Sequence, residues 1–198
     1  MVKLLRERAD AAILDAAAAL FARQGTAKTS LQDVAAAVGL SKAGLLHHFR
    51  SREALVTAVS AQAEDLAGAV LVEVGHLLPG VERDRRAIES MVDVALAHPG
   101  LVAFLLAPAI HGDAGPGAVE SSTALRILVD DPVTAEPERI VRVLGAFAAL
   151  AVLTLAAHAE DRTTAWRRHI VATCLGALGP DAGAATTGRQ PDTRPAEV

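Results

Sequence analysis

Apolar residues recur at helical spacing along almost the whole chain. Near the start, Ile13, Ala17, Leu20 and Phe21 fall at i, i+4, i+7 and i+8, one face of a helix. Gly25 stands where a glycine ends such a helix. Ser30 reads as an N-cap with Asp33 three residues on, close to a capping box. Leu31, Val34, Ala35 and Val38 then form the inner face of a second, short helix. Gly39 breaks it and Leu40 plugs the gap between helices. Ser41 caps a third short helix, 42–49, with Leu45 and Phe49 inward. A fourth begins near Ser51 and runs through Ala54, Leu55, Ala58 and Val59 to residue 74.

The pattern continues beyond. Pro79-Gly80 separates the fourth helix from a fifth near 83–98, with Ile88, Met91, Val92, Ala95 and Leu96 on one face. Pro99 suits the first position of a sixth helix, 100–111, which Pro108 is expected to kink or end. Residues 111–117, HGDAGPG, read as a loop; their glycine spacing does not fit a dinucleotide fingerprint, and no strand precedes them. A seventh helix is expected over 118–130, a linker over 132–137, and two long helices over 138–160 and 163–178. The tail, 179–198, is rich in Pro, Gly, Thr and Ala and reads as disordered.

The eighth helix changes the picture most. From 143 to 157 it has almost no polar face, and a helix apolar all round must be buried all round. One small domain covers about half of it; the rest calls for a partner chain. Gly145, Ala146, Ala149 and Ala156 permit close approach. Trp166, Ile170, Val171, Cys174, Leu175 and Leu178 give the last helix a second apolar stripe. Two such helices from each chain would make a symmetric four-helix interface, hence a homodimer.

Composition narrows the class. Of 198 residues, 52% are hydrophobic, and alanine dominates over β-branched residues, which favours helix over sheet. A single cysteine, Cys174, excludes a disulfide framework and a cysteine-based zinc site. Residues 1–10 are charged and lack an apolar stretch, so no signal peptide is expected. The run 143–157 falls short of the ~20 residues that cross a bilayer. A cytoplasmic protein without a membrane partner is the expectation. The net charge of −4 is unevenly spread. Residues 1–60 hold eight Lys and Arg against five acids, and the remainder eleven against eighteen. A slightly basic head precedes an acidic body.

Two short helices joined by a tight glycine turn are a helix-turn-helix pattern, Gly39 supplying the positive φ and Ala and Val the close approach. The stretch 13–59 goes further. Its F-x-x-x-G-x-x-x-T-S junction, its D-V-A-x-x-x-G-L-S-K turn and its H-H-F-x-S-R-E-A-L segment stand in register. On these residues the chain resembles TetR-family transcriptional regulators. The resemblance implies an all-α fold of about nine helices. A three-helix DNA-binding domain, 1–50, would be followed by a helical ligand-binding and dimerisation domain, 51–178, whose residues 51–74 form a connecting helix. It implies a dimeric repressor that binds a palindromic double-stranded DNA operator, with half-sites about 34–36 Å apart, and that a small molecule releases.

The same resemblance places DNA contacts on the third helix. Lys42 is its long cationic reader, able to reach guanine O6/N7 or a phosphate. His47, and His48 beside it, offer ring nitrogens, and Ala43, Gly44 and Leu46 complete the exposed side. Thr29 and Ser30 offer hydroxyls and backbone N–H groups to a phosphate. Arg52 stands where the family has a phosphate-binding lysine, and Arg6, Arg8, Lys28 and Arg50 are expected nonspecific contacts. The sequence departs from the family at Gly44, where a small hydroxyl residue is usual, and at Leu46, where a tyrosine is usual. That implies reading by shape and methyl contact more than by hydrogen bonds.

For the effector the resemblance points inside helices four to seven. Met91 and Phe104 are candidate apolar lining, and His98 and His111 the rarer polar groups; a modest, largely apolar ligand is expected. No metal or cofactor is expected, since adjacent His47 and His48 point about 100° apart on a helix. No G-x-S-x-G, H-E-x-x-H or P-loop occurs, so an enzyme is not expected. The alternative is a helical dimerisation or adaptor module without sequence-specific DNA binding.

Overall fold

The computed structural model describes residues 2–111 and 122–179, with side chains from residue 9 onward. Among these residues the chain is helical, with no strand: α1 (Val2–Gln24), α2 (Leu31–Ala37), α3 (Lys42–His48), α4 (Arg52–Val74), α5 (Val81–Ala97), α6 (Pro99–His111), α7 (Thr123–Leu128), α8 (Pro137–Ala159) and α9 (Thr163–Leu178). The side chains of Arg6 and Arg8, the expected loop beyond His111, the expected start of the seventh helix before Ser122 and the tail from residue 180 lie outside the described residues.

Two hydrophobic cores organise the molecule. In the head, Ile13, Ala17, Leu20, Phe21, Val34, Ala35, Leu45, Leu55 and Val59 are buried together. These are the periodic positions of α1, α2 and α3 and the first turns of α4. Leu40 packs against them between α2 and α3. In the body, Val70 and Val74 of α4 join α5, α7, α8 and α9 through Ile88, Val92, Leu125, Ile127, Val143, Leu150 and Ile170. One long helix, α4, thus contributes to both cores.

Local chemistry sets the breaks. Gly25 and Gly39 adopt φ of 82° and 69°, which side chains resist and glycine accepts without strain. Ser30 forms the full capping box: its backbone N–H donates to Asp33 Oδ2 and its Oγ accepts from Asp33 N. Ser41, Ser51 and Ser122 cap α3, α4 and α7. Pro108 does not end α6. The helix runs on to His111 with the proline on an exposed side. The seventh helix ends at Leu128, before the expected limit, as Val129 turns to an extended conformation.

α8 divides its apolar surface. Val143, Ala146, Leu150 and Ala157 are buried in the body, whereas Val141, Leu144 and Val152 stay exposed, with Gly145 and Ala148 between them. α9 behaves differently from expectation. Its stripe of Ile170, Val171, Cys174 and Leu178 is buried against α8 and α5 within one chain, and its outer face carries Ala165, Arg168, His169, Ala172, Thr173 and Gly176. An apolar stripe marks burial, and the sequence does not say whether the burying surface is the same chain or another. By length and composition alone, α4 and α8 are each apolar enough to cross a membrane. The expectation from 143–157 counted too short a run, because α8 extends to 23 residues.

Candidate nucleic-acid interface

α3 presents its outer face beyond the head's core. Leu45 is fully buried and holds the helix down, while Lys42, Ala43, Leu46 and His47 are exposed on the other side. Gly44 is half-buried and its N–H donates to the Ser41 hydroxyl at 3.0 Å. A Cβ there would meet only Ser41 Oγ at 3.4 Å and Leu40 beyond, so packing does not demand glycine. The face is therefore small, partly apolar and cationic at its first residue. A helix of that outline fits the ~12 Å width of a major groove.

The remaining expected contacts divide. Ser30 and Lys28 are exposed beside the start of α2, and Arg50 is exposed after α3. Thr29 is buried, its hydroxyl donating to the Gly25 carbonyl at 2.9 Å, so it holds the α1–α2 turn together. The Ser30 hydroxyl donates to Asp33 at 2.7 Å, and that bond holds the Asp33 carboxyl below its ordinary value. Arg52 donates from Nη1 to the Ala27 carbonyl at 2.8 Å and lies against Glu53, pinning the first turn of α4 to the α1–α2 turn. His48 points away from Lys42's face: its Nδ1 lies 2.5 Å from Asp10 Oδ1 on α1. The structure thus brings Lys42, Ala43, Leu46 and His47 together on one surface, whereas Thr29 and His48 turn into the head.

Met91, His98, Phe104 and His111 have different surroundings. Met91 packs on the body core and Phe104 on the head core, 6.2 Å from Phe21 ring to ring. His98 caps the end of α5, and the His111 ring bonds the Ala107 carbonyl on its own helix. A cavity of about 730 Å³ lies elsewhere, between the starts of α5 and α8 and the ends of α7 and α9. Ile127, Leu128, Ala135 and Leu178 give it an apolar side, and Arg83, Asp84, Arg139 and Arg142 a charged one. Asp84 is buried and accepts from Arg139 Nη2 at 2.7 Å; burial pushes its carboxyl above the ordinary range despite that partner. Nothing in the run VERDRR marks which acid goes inside, so sequence reasoning missed it. Among the described residues no group of His, Cys, Asp and Glu could hold a metal ion.

Residues 13–59 match the family model for bacterial regulatory proteins of the tetR family. An uncharacterized HTH-type transcriptional regulator of Mycobacterium tuberculosis H37Rv is 33% identical over 132 residues, 63% of this chain and 65% of that protein. The match thus spans just under two thirds of the relative's length. An HTH-type transcriptional repressor of the same organism is 35% identical over 81 residues, 41% of this chain and 42% of that one. Among solved structures, a TetR-like transcriptional regulator from Rhodococcus sp. RHA1 superimposes with a TM-score of 0.51 at 19% identity, covering 88% of this chain and 96% of its own, which shows a common fold.

Proposed function

We propose, on the match of residues 13–59 to the tetR family model, that the chain is a TetR-family transcriptional regulator and works as a homodimer whose two α3 helices read the half-sites of a palindromic operator. The observation that carries this reading is the outward surface of Lys42, Ala43, Leu46 and His47, held in place from behind by buried Leu45. Lys42 supplies a long cationic donor for a guanine edge or phosphate, and Leu46 an apolar tip for a thymine methyl. Arg50, Lys28 and Arg52 flank the helix and favour phosphates. The exposed stripe of Val141, Leu144, Gly145, Ala148 and Val152 on α8 supports the dimer, with the small outer residues of α9 beside it. Placement of the partner on α8 and α9 gives each dimer two heads.

The regulator represses, and a small effector releases it by favouring a head spacing that no longer fits the operator. The cavity at the starts of α5 and α8 supports an effector with an apolar body and a polar group, because Asp84 and Arg139 stand opposite Ile127 and Leu178. That keeps the modest, largely apolar ligand expected from the sequence and adds a polar end to it. Selection from a random duplex library, repeated at rising salt, tests the reading. Enrichment of a palindrome that survives the higher salt is the expected result. Binding without sequence preference that vanishes with salt would leave only the phosphate contribution, and an adaptor role instead.

A further inference from the structure

The head is joined to the body by the chain through α4, and a second attachment lies at the start of α6. Leu101 of α6 is buried in the head's core together with Phe21, Leu45 and Leu55, and Phe104 packs on the same core. Its neighbour Val102 packs on the body core instead. α6 is therefore shared between the two, and its first turn crosses α1 with almost no clearance. A Cβ on Gly100 would fall 2.0 Å from the Asp15 carbonyl oxygen and 2.8 Å from its carbonyl carbon, so no larger residue fits without parting the helices. The Asp15 side chain completes the contact: Oδ1 accepts from the Leu101 N–H at 3.0 Å. A carboxylate at a helix N-terminus is favourably placed both as a hydrogen-bond acceptor and against the helix dipole.

We propose that Asp15 and Gly100 are positioning residues that lock α6 onto α1 and so fix the orientation of the DNA-reading head relative to the body. α4 alone would join head and body through a single helix, so that bending of α4 between Val59 and Val70 would swing the head. A second anchor on a different helix removes that freedom, and any displacement of α6 must then move α1. The inference rests on the DNA-binding reading for its consequence but not for its geometry.

The test uses the full chain with spin labels at Lys28→Cys in the head and Val133→Cys in the body, diluted with unlabelled chain. Both sites are exposed, and native Cys174 is fully buried. The native sequence is expected to give one narrow distance distribution. Asp15→Ala and Gly100→Ala should broaden or shift it, whereas Asp15→Asn, which keeps an oxygen acceptor, should stay close to native. On a two-half-site operator Asp15→Ala should lose about tenfold in affinity while an isolated half-site loses little, since only the former needs both heads in register. An unchanged distribution in both variants would overturn the proposal. So would equal weakening on full operator and half-site, which would mean that the head itself is damaged. Should Gly100→Ala not fold, the Asp15→Ala and Asp15→Asn pair decides alone. Should the native chain select no operator, the distance measurement still decides the joint while the DNA reading fails separately.

Discussion

Val152 offers a quantitative test of the dimer. It lies on the outer stripe of α8, two turns beyond Leu144, and is 56% exposed in the single chain. Truncation to alanine removes two carbons, worth about 1.6 kcal/mol when wholly transferred out of water, of which roughly 0.9 kcal/mol belongs to the part a partner would newly cover. Two-fold symmetry places the residue in the interface twice, so Val152→Ala should weaken dimerisation by about 1.8 kcal/mol, roughly twentyfold in the dissociation constant. Alanine retains helix propensity, so α8 itself should stand unharmed. Val152→Asp, which brings two carboxylates into an apolar seam, should leave a monomer at micromolar concentration. Sedimentation equilibrium over a concentration series reads both. A dissociation constant for Val152→Ala within threefold of native, or a native protein that is monomeric at tens of micromolar, would refute the placement of the interface on this stripe.

Three further outcomes follow from the geometry. Leu46→Tyr on the exposed face of α3 should raise operator affinity but blur discrimination among operator variants in a fluorescence-anisotropy titration; a collapse of binding on every duplex would contradict methyl and shape reading. Gly44→Ala should stabilise the protein by roughly 0.5–1 kcal/mol in urea unfolding, because a helical glycine is replaced where space exists; destabilisation would show that the α2–α3 packing is tighter than the contacts imply. Asp84, whose carboxyl lies above its ordinary 3.8 through burial, opposes folding when ionised. Its contribution is full below 3.8 and lost as pH rises through the higher folded-state value, so the native chain should gain stability relative to Asp84→Asn between pH 7 and pH 4. A stability difference between the two that does not change with pH would show the carboxyl is not shifted.

The helices of the head were legible because each carries its own punctuation. Gly25, Ser30, Gly39, Ser41 and Ser51 specify breaks and caps by local chemistry, and Leu45 declares its inward face by spacing. What the sequence left open depends on partners distant along the chain. Thr29 resembles an exposed hydroxyl until the turn folds its side chain onto the Gly25 carbonyl. His48 resembles a reader until α1 brings Asp10 beside it. The stripe of Ile170, Cys174 and Leu178 is as apolar as an interface, and the body of the same chain covers it. Asp15 carried a signal that went unused: it is the lone acid in the run ILDAAAALF, and α6 supplies its partner from 86 residues away.

The central claim is that two rigidly spaced heads read one operator, and altered spacing tests it most directly. The selected palindrome is lengthened between its half-sites by about five base pairs, half a helical turn, and then by about ten, a full turn. Affinity should collapse with the half-turn insertion, which places the second half-site on the opposite side of the duplex from its head. It should remain low with the full turn, which restores the face but not the distance. Equal affinity for all three duplexes would mean that the heads bind independently, and the dimeric reading of the operator would be wrong.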